Sequence, residues 1–269
     1  MKSRPRLDRL MVEQGVTESR HRARALILAG EVLVDGEPAE KPGMPVPDDA
    51  VISLRPAAAA ARYASRGGLK LEAALDRFAV DPADRVAIDL GASTGGFTDC
   101  LLQRGARLVI AVDVGYGILH WRLRNDPRVV VRERLNARYL EAEHLPRQPD
   151  LATADLSFIS LEKVLPRIVE LVPGLEILAL VKPQFEVSRE RVGKKGVVRD
   201  PALHRDVLLR VSRTLAEACD LSTLGAAASP ITGPKGNREF FLHLAHGAPG
   251  LGEAELVAAV QRETADGEQ

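Results

Sequence analysis

The sequence predicts an α/β fold: an open, mostly parallel sheet covered by helices on both faces, antiparallel in its last strand, behind a small N-terminal α+β unit. Three observations carry this. Short apolar runs, VAIDLG, RLVIAVDVG, RVVVRE, DLATADLS and LEILALVKP, alternate with helical stretches, the pattern of buried parallel strands. The chain then closes with GAAASPITG and EFFLHLAH, a hairpin-like pair. Finally, the first strand passes through a glycine-dense turn directly into an amphipathic helix over Val86–Ala106.

Each element has its own signal. Residues 7–15 read as a short helix with Leu7, Leu10 and Met11 inward, stopped by Gly15. A second helix follows Thr17 or Ser19 as cap, buries Ala23, Leu26 and Ile27, and ends at Gly30. Arg20 and Arg24 are four residues apart on one of its faces, with His21 reading as a surface histidine beside them. VLVDGEPA forms two strands about Asp35 and Gly36. The stretch AAAAARYAS reads as a connector anchored by Tyr63, and SRGGLKLEAALDRF as a serine-capped helix burying Leu71, Ala74, Leu75 and Phe78. Lys70 falls in its first turn, where the helix dipole gives a cation nothing. The domains are therefore expected at 1–60 and 67–269, joined by 61–66.

The glycine-dense turn reads as a nucleoside-cofactor loop. Gly91, Gly95 and Gly96 let the backbone turn tightly, and the following helix presents unpaired amides. Its spacing is GxxxGG, with Ser93 where a dinucleotide fingerprint needs glycine. S-adenosylmethionine has no phosphate and tolerates a small side chain there, so it is the expected cofactor. Asp89 and Asp113 end the first two strands, and Asp113 is placed to accept both ribose hydroxyls. Asp155 and Lys182 end the fourth and fifth strands, where ligands bind on such sheets, with Pro183 holding Lys182 extended. The cofactor-binding set is thus Asp89, Gly91, Ser93, Thr94, Gly95, Gly96, Asp113 and Asp155.

Composition bounds the rest. At 269 residues and 45% hydrophobic content the chain can bury a sizeable core. Its two cysteines, Cys100 and Cys219, have neither metal-ligand nor disulfide spacing. The N-terminus is charged and no apolar run approaches the ~18 residues of a span. A cytoplasmic protein without metal or membrane association is expected, acting as a monomer. Net charge is zero, yet residues 2–24 hold Lys2 and six arginines against three acidic residues. A second basic segment runs from Lys182 to Arg199, with Lys194 and Lys195 inside it, and an acidic C-terminal tail restores neutrality. Such segregation suits nucleic acid.

SRHRARALI and GEVLVDG resemble the RNA-binding domain first seen in ribosomal protein S4. That resemblance implies phosphate and shape recognition of structured RNA through Arg4, Arg6, Arg20, Arg22, Arg24 and Lys41. GASTGGFTD, DLSFISL, LVKPQFE and TGPKGNREF, in that order, resemble the TlyA family of ribosomal RNA methyltransferases, within the FtsJ-like group. The resemblance covers essentially the whole chain. It implies a Rossmann-like class I methyltransferase sheet behind the S4-like domain, and a catalytic tetrad of Lys70, Asp155, Lys182 and Glu239. It also implies S-adenosylmethionine-dependent transfer to a cytidine 2′-hydroxyl of ribosomal RNA in the large subunit. The arginine-bearing lead and extended C-terminus resemble the longer subgroup, which also modifies the small subunit.

A ribose hydroxyl is a poor nucleophile until its proton is accepted, and Lys182 is the candidate base. A free lysine titrates near ~10.4, so this role expects a lowering of roughly three units, about 4 kcal/mol. Lys70 supplies a neighbouring cation in that direction, while Asp155 and Glu239 oppose it. Rival readings are a noncatalytic RNA-binding factor and, because relatives have carried a haemolysin label, a membrane-active protein. The 4% aromatic content argues against the latter. Arg6–Asp8, RLD, also resembles the pseudouridine synthase signature, but there the aspartate follows the RNA-binding domain and here it precedes it.

Overall fold

The computed structural model describes residues 4–28, 30–39, 41–54, 62–193, 196–233 and 236–265. Lys2, the alanine run of the connector, Lys194, Lys195, Pro234, Lys235, the end of the acidic tail and the side chain of His21 lie outside the described residues.

The N-terminal unit opens with α1 (Leu7–Glu13) and α2 (Arg20–Leu28). Gly15, just past the end of α1, takes φ +72°, the left-handed conformation that lets the chain leave the helix. Of the two candidate caps for α2, Ser19 is the one that works: its Oγ accepts the Arg22 amide at 3.2 Å. Strands β1 (Val32–Val34) and β2 (Glu37–Pro38) pair antiparallel about Asp35 and Gly36, both with positive φ, as a two-residue turn requires. A third strand, β3 (Ile52–Leu54), pairs with the other edge of β1. Three residues carry too little alternation to be read from sequence; here the Asp35 carboxylate secures them by accepting the Val51 amide at 2.9 Å. Leu7, Met11, Ala23, Ile27 and Val32 form the core of this unit.

The larger unit begins with α3 (Gly67–Phe78) and the strand–helix pair β4 (Val86–Leu90) and α4 (Gly96–Gln103). Next come β5 (Leu108–Asp113), α5 (Trp121–Arg124), β6 (Val129–Glu133), β7 (Leu151–Ala154), α6 (Leu165–Leu171) and β8 (Glu176–Val181). The chain continues through α7 (Pro183–Glu186), α8 (Pro201–Cys219), β9 (Leu221–Ala228), β10 (Phe240–His246) and α9 (Glu253–Ala265). The strands form one sheet of order β6-β5-β4-β7-β8-β10-β9. β4 to β8 are mutually parallel where they pair, and β10 is antiparallel to both neighbours, matching the expected sheet.

Two boundaries differ from the sequence reading. β9 starts at Leu221 and stops before SPITG, because Pro230 has no amide to give a ladder. The acidic C-terminal stretch folds as α9, with Leu256 and Ala259 buried in the sheet's core. Alternation along the parallel strands feeds both faces: Ile88, Leu90, Ile110 and Val112 enter one core, and Ala87, Val109 and Ala111 the other. Tyr63 is 3% exposed in the second core, as an anchor would be. The strand order reverses between β4 and β7, which opens a crevice above their carboxyl ends.

Candidate active site

The turn after β4 is shaped by close backbone approach. Gly91 sits at φ +89°, and a Cβ there would lie 2.5 Å from the Asp155 carbonyl oxygen. Gly95, at φ +95°, caps α4, and a Cβ on it would meet Leu123 Cδ1 at 2.2 Å. Ser93 also takes a positive φ, +49°. Its amide donates to Asp113 Oδ2 at 2.8 Å, and the Gly115 amide donates to Oδ1 at 2.6 Å.

This turn walls a cavity of about 420 Å³ at the switch point, within the size range of small-ligand sites. Gly91, Ser93, Thr94 and Gly96 line it, and Asp155 faces it. Three expected cofactor residues do not. Gly95 is spent on the helix cap and its packing, and Asp113 stands behind Ser93 as a partner of the loop amides. Asp89 lies beneath the loop, fully buried between Thr98 Oγ1 at 2.7 Å and Thr153 Oγ1 at 3.1 Å. Burial pushes its carboxyl up to about 7, against the two hydroxyl bonds. Sequence position alone does not say which residues around a strand end face the cavity.

The four charged residues expected to act together do converge. Lys70 Nζ donates to Glu239 Oε2 at 2.6 Å, both side chains nearly buried. Lys182 Nζ pairs with Asp155 Oδ1 and donates to Ser157 Oγ at 3.1 Å. All four line the same cavity. The electrostatics overturn one expectation. Burial pushes the Lys182 ammonium down, but Asp155 and Glu239 outweigh it and hold the group above the ordinary lysine value. Burial likewise pushes Asp155 up, and the ammonium groups of Lys182 and Lys70 hold it below the usual carboxylate range. Lys70 pairs with Glu239 rather than standing free beside Lys182.

Several site residues escaped the sequence reading. Phe158 is 86% exposed at the cavity wall, with φ +65°, and its ring sits 4.8 Å from that of Phe185. A bulky residue is uncommon in that conformation, and burial does not explain a ring left so exposed. Gln184 lines the cavity with a buried Oε1 that has no hydrogen-bond partner among the described residues. Asn237, 3% exposed, accepts the Val198 amide at 2.9 Å and donates to the Gly196 carbonyl at 3.0 Å, binding the basic loop to the strand that presents Glu239. The only signal for these lay in the motifs that contain them.

The expected RNA contacts divide. Arg22 and Arg24 are exposed on α2, as are Arg4 ahead of α1 and Lys41 after β2. Lys41 also reaches the wall of the cavity, beside Ile27 and Leu28. Arg6 and Arg20 keep exposed side chains but both bond Asp8, Arg6 through two bonds of 3.0 Å and Arg20 through one of 3.1 Å. Asp8 is wholly buried, so the RLD stretch organises the helix pair. Among the described residues no group of His, Cys, Asp and Glu is arranged to hold a metal, and no helix is long and apolar enough to cross a membrane.

Residues 63–246 match the family described as FtsJ-like methyltransferase, and residues 5–52 match the S4 domain. A Mycobacterium tuberculosis protein named 16S/23S rRNA (cytidine-2′-O)-methyltransferase TlyA is 49% identical over 245 residues, 91% of each chain. YqxC of Bacillus subtilis, provisionally named an rRNA methyltransferase, is 51% identical over 242 residues, 89% of this chain and 85% of the relative. A solved structure from Streptococcus thermophilus with a provisional hemolysin name is 42% identical, with a TM-score of 0.71, covering 100% of this chain and 99% of its own.

Proposed function

Since the chain belongs to the FtsJ-like methyltransferase family and carries an S4 domain ahead of that fold, we propose that it methylates the 2′-hydroxyl of a cytidine in ribosomal RNA. S-adenosylmethionine is the donor, and the large subunit and also the small subunit are substrates. Residues 1–60 hold the RNA, 67–269 perform the transfer, and 61–66 join them. The observation that carries this reading is the meeting of Lys70, Asp155, Lys182 and Glu239 in one cavity that Lys41 of the RNA-binding unit also borders. Both units contribute to that cavity within a single chain, so a monomer suffices. Its setting is the cytoplasm, where its substrate is assembled.

The cavity fits the donor on its own chemistry: a glycine-walled turn against which a nucleoside can lie closely, and the unpartnered Gln184 Oε1 as an acceptor. When bound, S-adenosylmethionine supplies an electrophilic methyl on a cationic sulfur. The chain does the rest. Asp155 and the Lys70–Glu239 pair fix the geometry of the reacting hydroxyl, and Lys182 accepts its proton in the fraction of molecules where the lysine is neutral. Phe158 offers an open ring face beside the cavity for the base of the target nucleotide.

The test is incubation of the purified protein with unmethylated ribosomal subunits and methyl-labelled donor, with the modified ribose mapped by primer extension. A single 2′-O-methylcytidine per subunit is expected, absent with Lys182→Ala. Binding of RNA without methyl transfer would assign a noncatalytic role instead.

A further inference from the structure

The chain has one tryptophan and three tyrosines. Tyr63 is buried, but Tyr116, Trp121 and Tyr139 are 63%, 65% and 65% exposed. All three lie on the segments that leave the carboxyl ends of β5 and β6, on the cavity side of the sheet. Each has a cation at hand. The Arg134 guanidinium lies over the Tyr116 ring at 4.1 Å, and Arg138 stands 5.3 Å from that of Tyr139. Trp121 is followed by the half-exposed Arg122 and has the His120 ring 6.0 Å away.

Packing does not account for these rings. Leu119 and Leu123 dock this segment on Gly95, and the His120 amide donates to the Thr94 carbonyl at 3.1 Å, so the segment is rigidly seated without them. Several nearby carboxylates are engaged, Asp99 among them by Arg122 at 3.8 Å. Glu133 accepts the Gly117 amide and pairs with Arg124, and Asp126 is taken by Arg128. The surface therefore pairs exposed aromatic rings with arginines. Arg22 of α2 also acts electrostatically on His120.

We propose that Tyr116, Trp121 and Tyr139, with Arg122, Arg134 and Arg138, form a second RNA-binding surface on the methyltransferase domain. It holds unpaired nucleotides flanking the target by stacking. Aromatic faces paired with arginines recognise splayed bases with little sequence demand, which adds to the phosphate grip of the S4 unit. The inference rests on the ribosomal RNA reading above.

The experiment compares the full-length protein with Tyr116→Leu, Trp121→Leu and their double variant for binding to unmethylated large subunits. Donor affinity is measured by calorimetry in parallel. We expect subunit binding to weaken at least tenfold in the double variant, with donor affinity within about twofold and an unchanged melting temperature. A photocrosslinker at position 121 should capture ribosomal RNA. Unchanged subunit binding, a selective loss of donor affinity, or crosslinking to ribosomal protein alone would each overturn the proposal. A wild-type protein that fails to bind or methylate subunits would instead remove the underlying reading.

Discussion

Lys70 Nζ and Glu239 Oε2 lie 2.6 Å apart although 169 residues separate them in the chain. One comes from the first turn of α3 and the other from the residue before β10, so their contact closes the unit around its cavity. Removing one partner of a buried pair strands the other charge, at about 3–5 kcal/mol. Glu239→Gln should therefore lower the melting temperature by roughly 10 °C and single-turnover methylation by at least about a hundredfold. Replacing both residues by methionine should recover most of the melting temperature and none of the activity. Calorimetric melting alongside single-turnover assays separates these; recovery of activity in the double variant would show that the pair is only structural.

Lys182 is held above its ordinary value by Asp155 and Glu239 after the opposing effect of burial. A base with a raised pKa is mostly protonated at neutral pH, and the competent neutral fraction grows as pH rises. Single-turnover methylation with donor saturating should climb about tenfold per pH unit from neutrality into the alkaline range. Asp155→Asn should shift that rise to lower pH while lowering the maximal rate, because the main attraction holding the proton on Lys182 is gone. A flat profile would exclude Lys182 as the base.

Asp89 carries its proton up to about pH 7 in the folded protein because it is fully buried. Unfolded, the same carboxyl titrates near ~3.9. The folded state then binds the proton more tightly, so the associated stability is fully present below about pH 4 and lost as pH rises toward 7, about 4 kcal/mol in all. Asp89→Asn should flatten the stability–pH profile across that window and leave the variant the more stable one at pH 8. Urea midpoints measured at half-unit intervals report this directly.

Gly91 tolerates no side chain, given its φ of +89° and the Asp155 carbonyl 2.5 Å from where a Cβ would stand. Gly91→Ala should displace Asp155, abolish measurable donor binding, and cost about 1–3 kcal/mol of stability through backbone strain. Gly174, also at positive φ but with open space around it, provides the comparison: alanine there should cost stability alone.

Phe158 presents its ring at the cavity wall with 86% exposure, so its removal takes little from the core. Phe158→Ala should lower kcat/KM for subunits by about 5- to 150-fold, the equivalent of one lost stacking contact, with donor affinity and melting temperature unchanged. A fall in melting temperature instead would mark its contact with Phe185 as structural.

The parallel strands, the reversed final strand and the hairpin about Asp35 and Gly36 were legible in the sequence because periodicity and turn chemistry are local properties. The motifs around Asp155, Lys182 and Glu239 also named residues that meet in one cavity. Tertiary structure decided the rest. That Asp89 turns under the loop, that Arg6 and Arg20 share the buried Asp8, and that Lys182 is raised rather than lowered all follow from which groups lie within a few ångströms across the fold. Local pattern sets where a residue stands along its strand or helix. The charge it carries and the partner it meets depend on distances between segments that are far apart in sequence, and only packing fixes those.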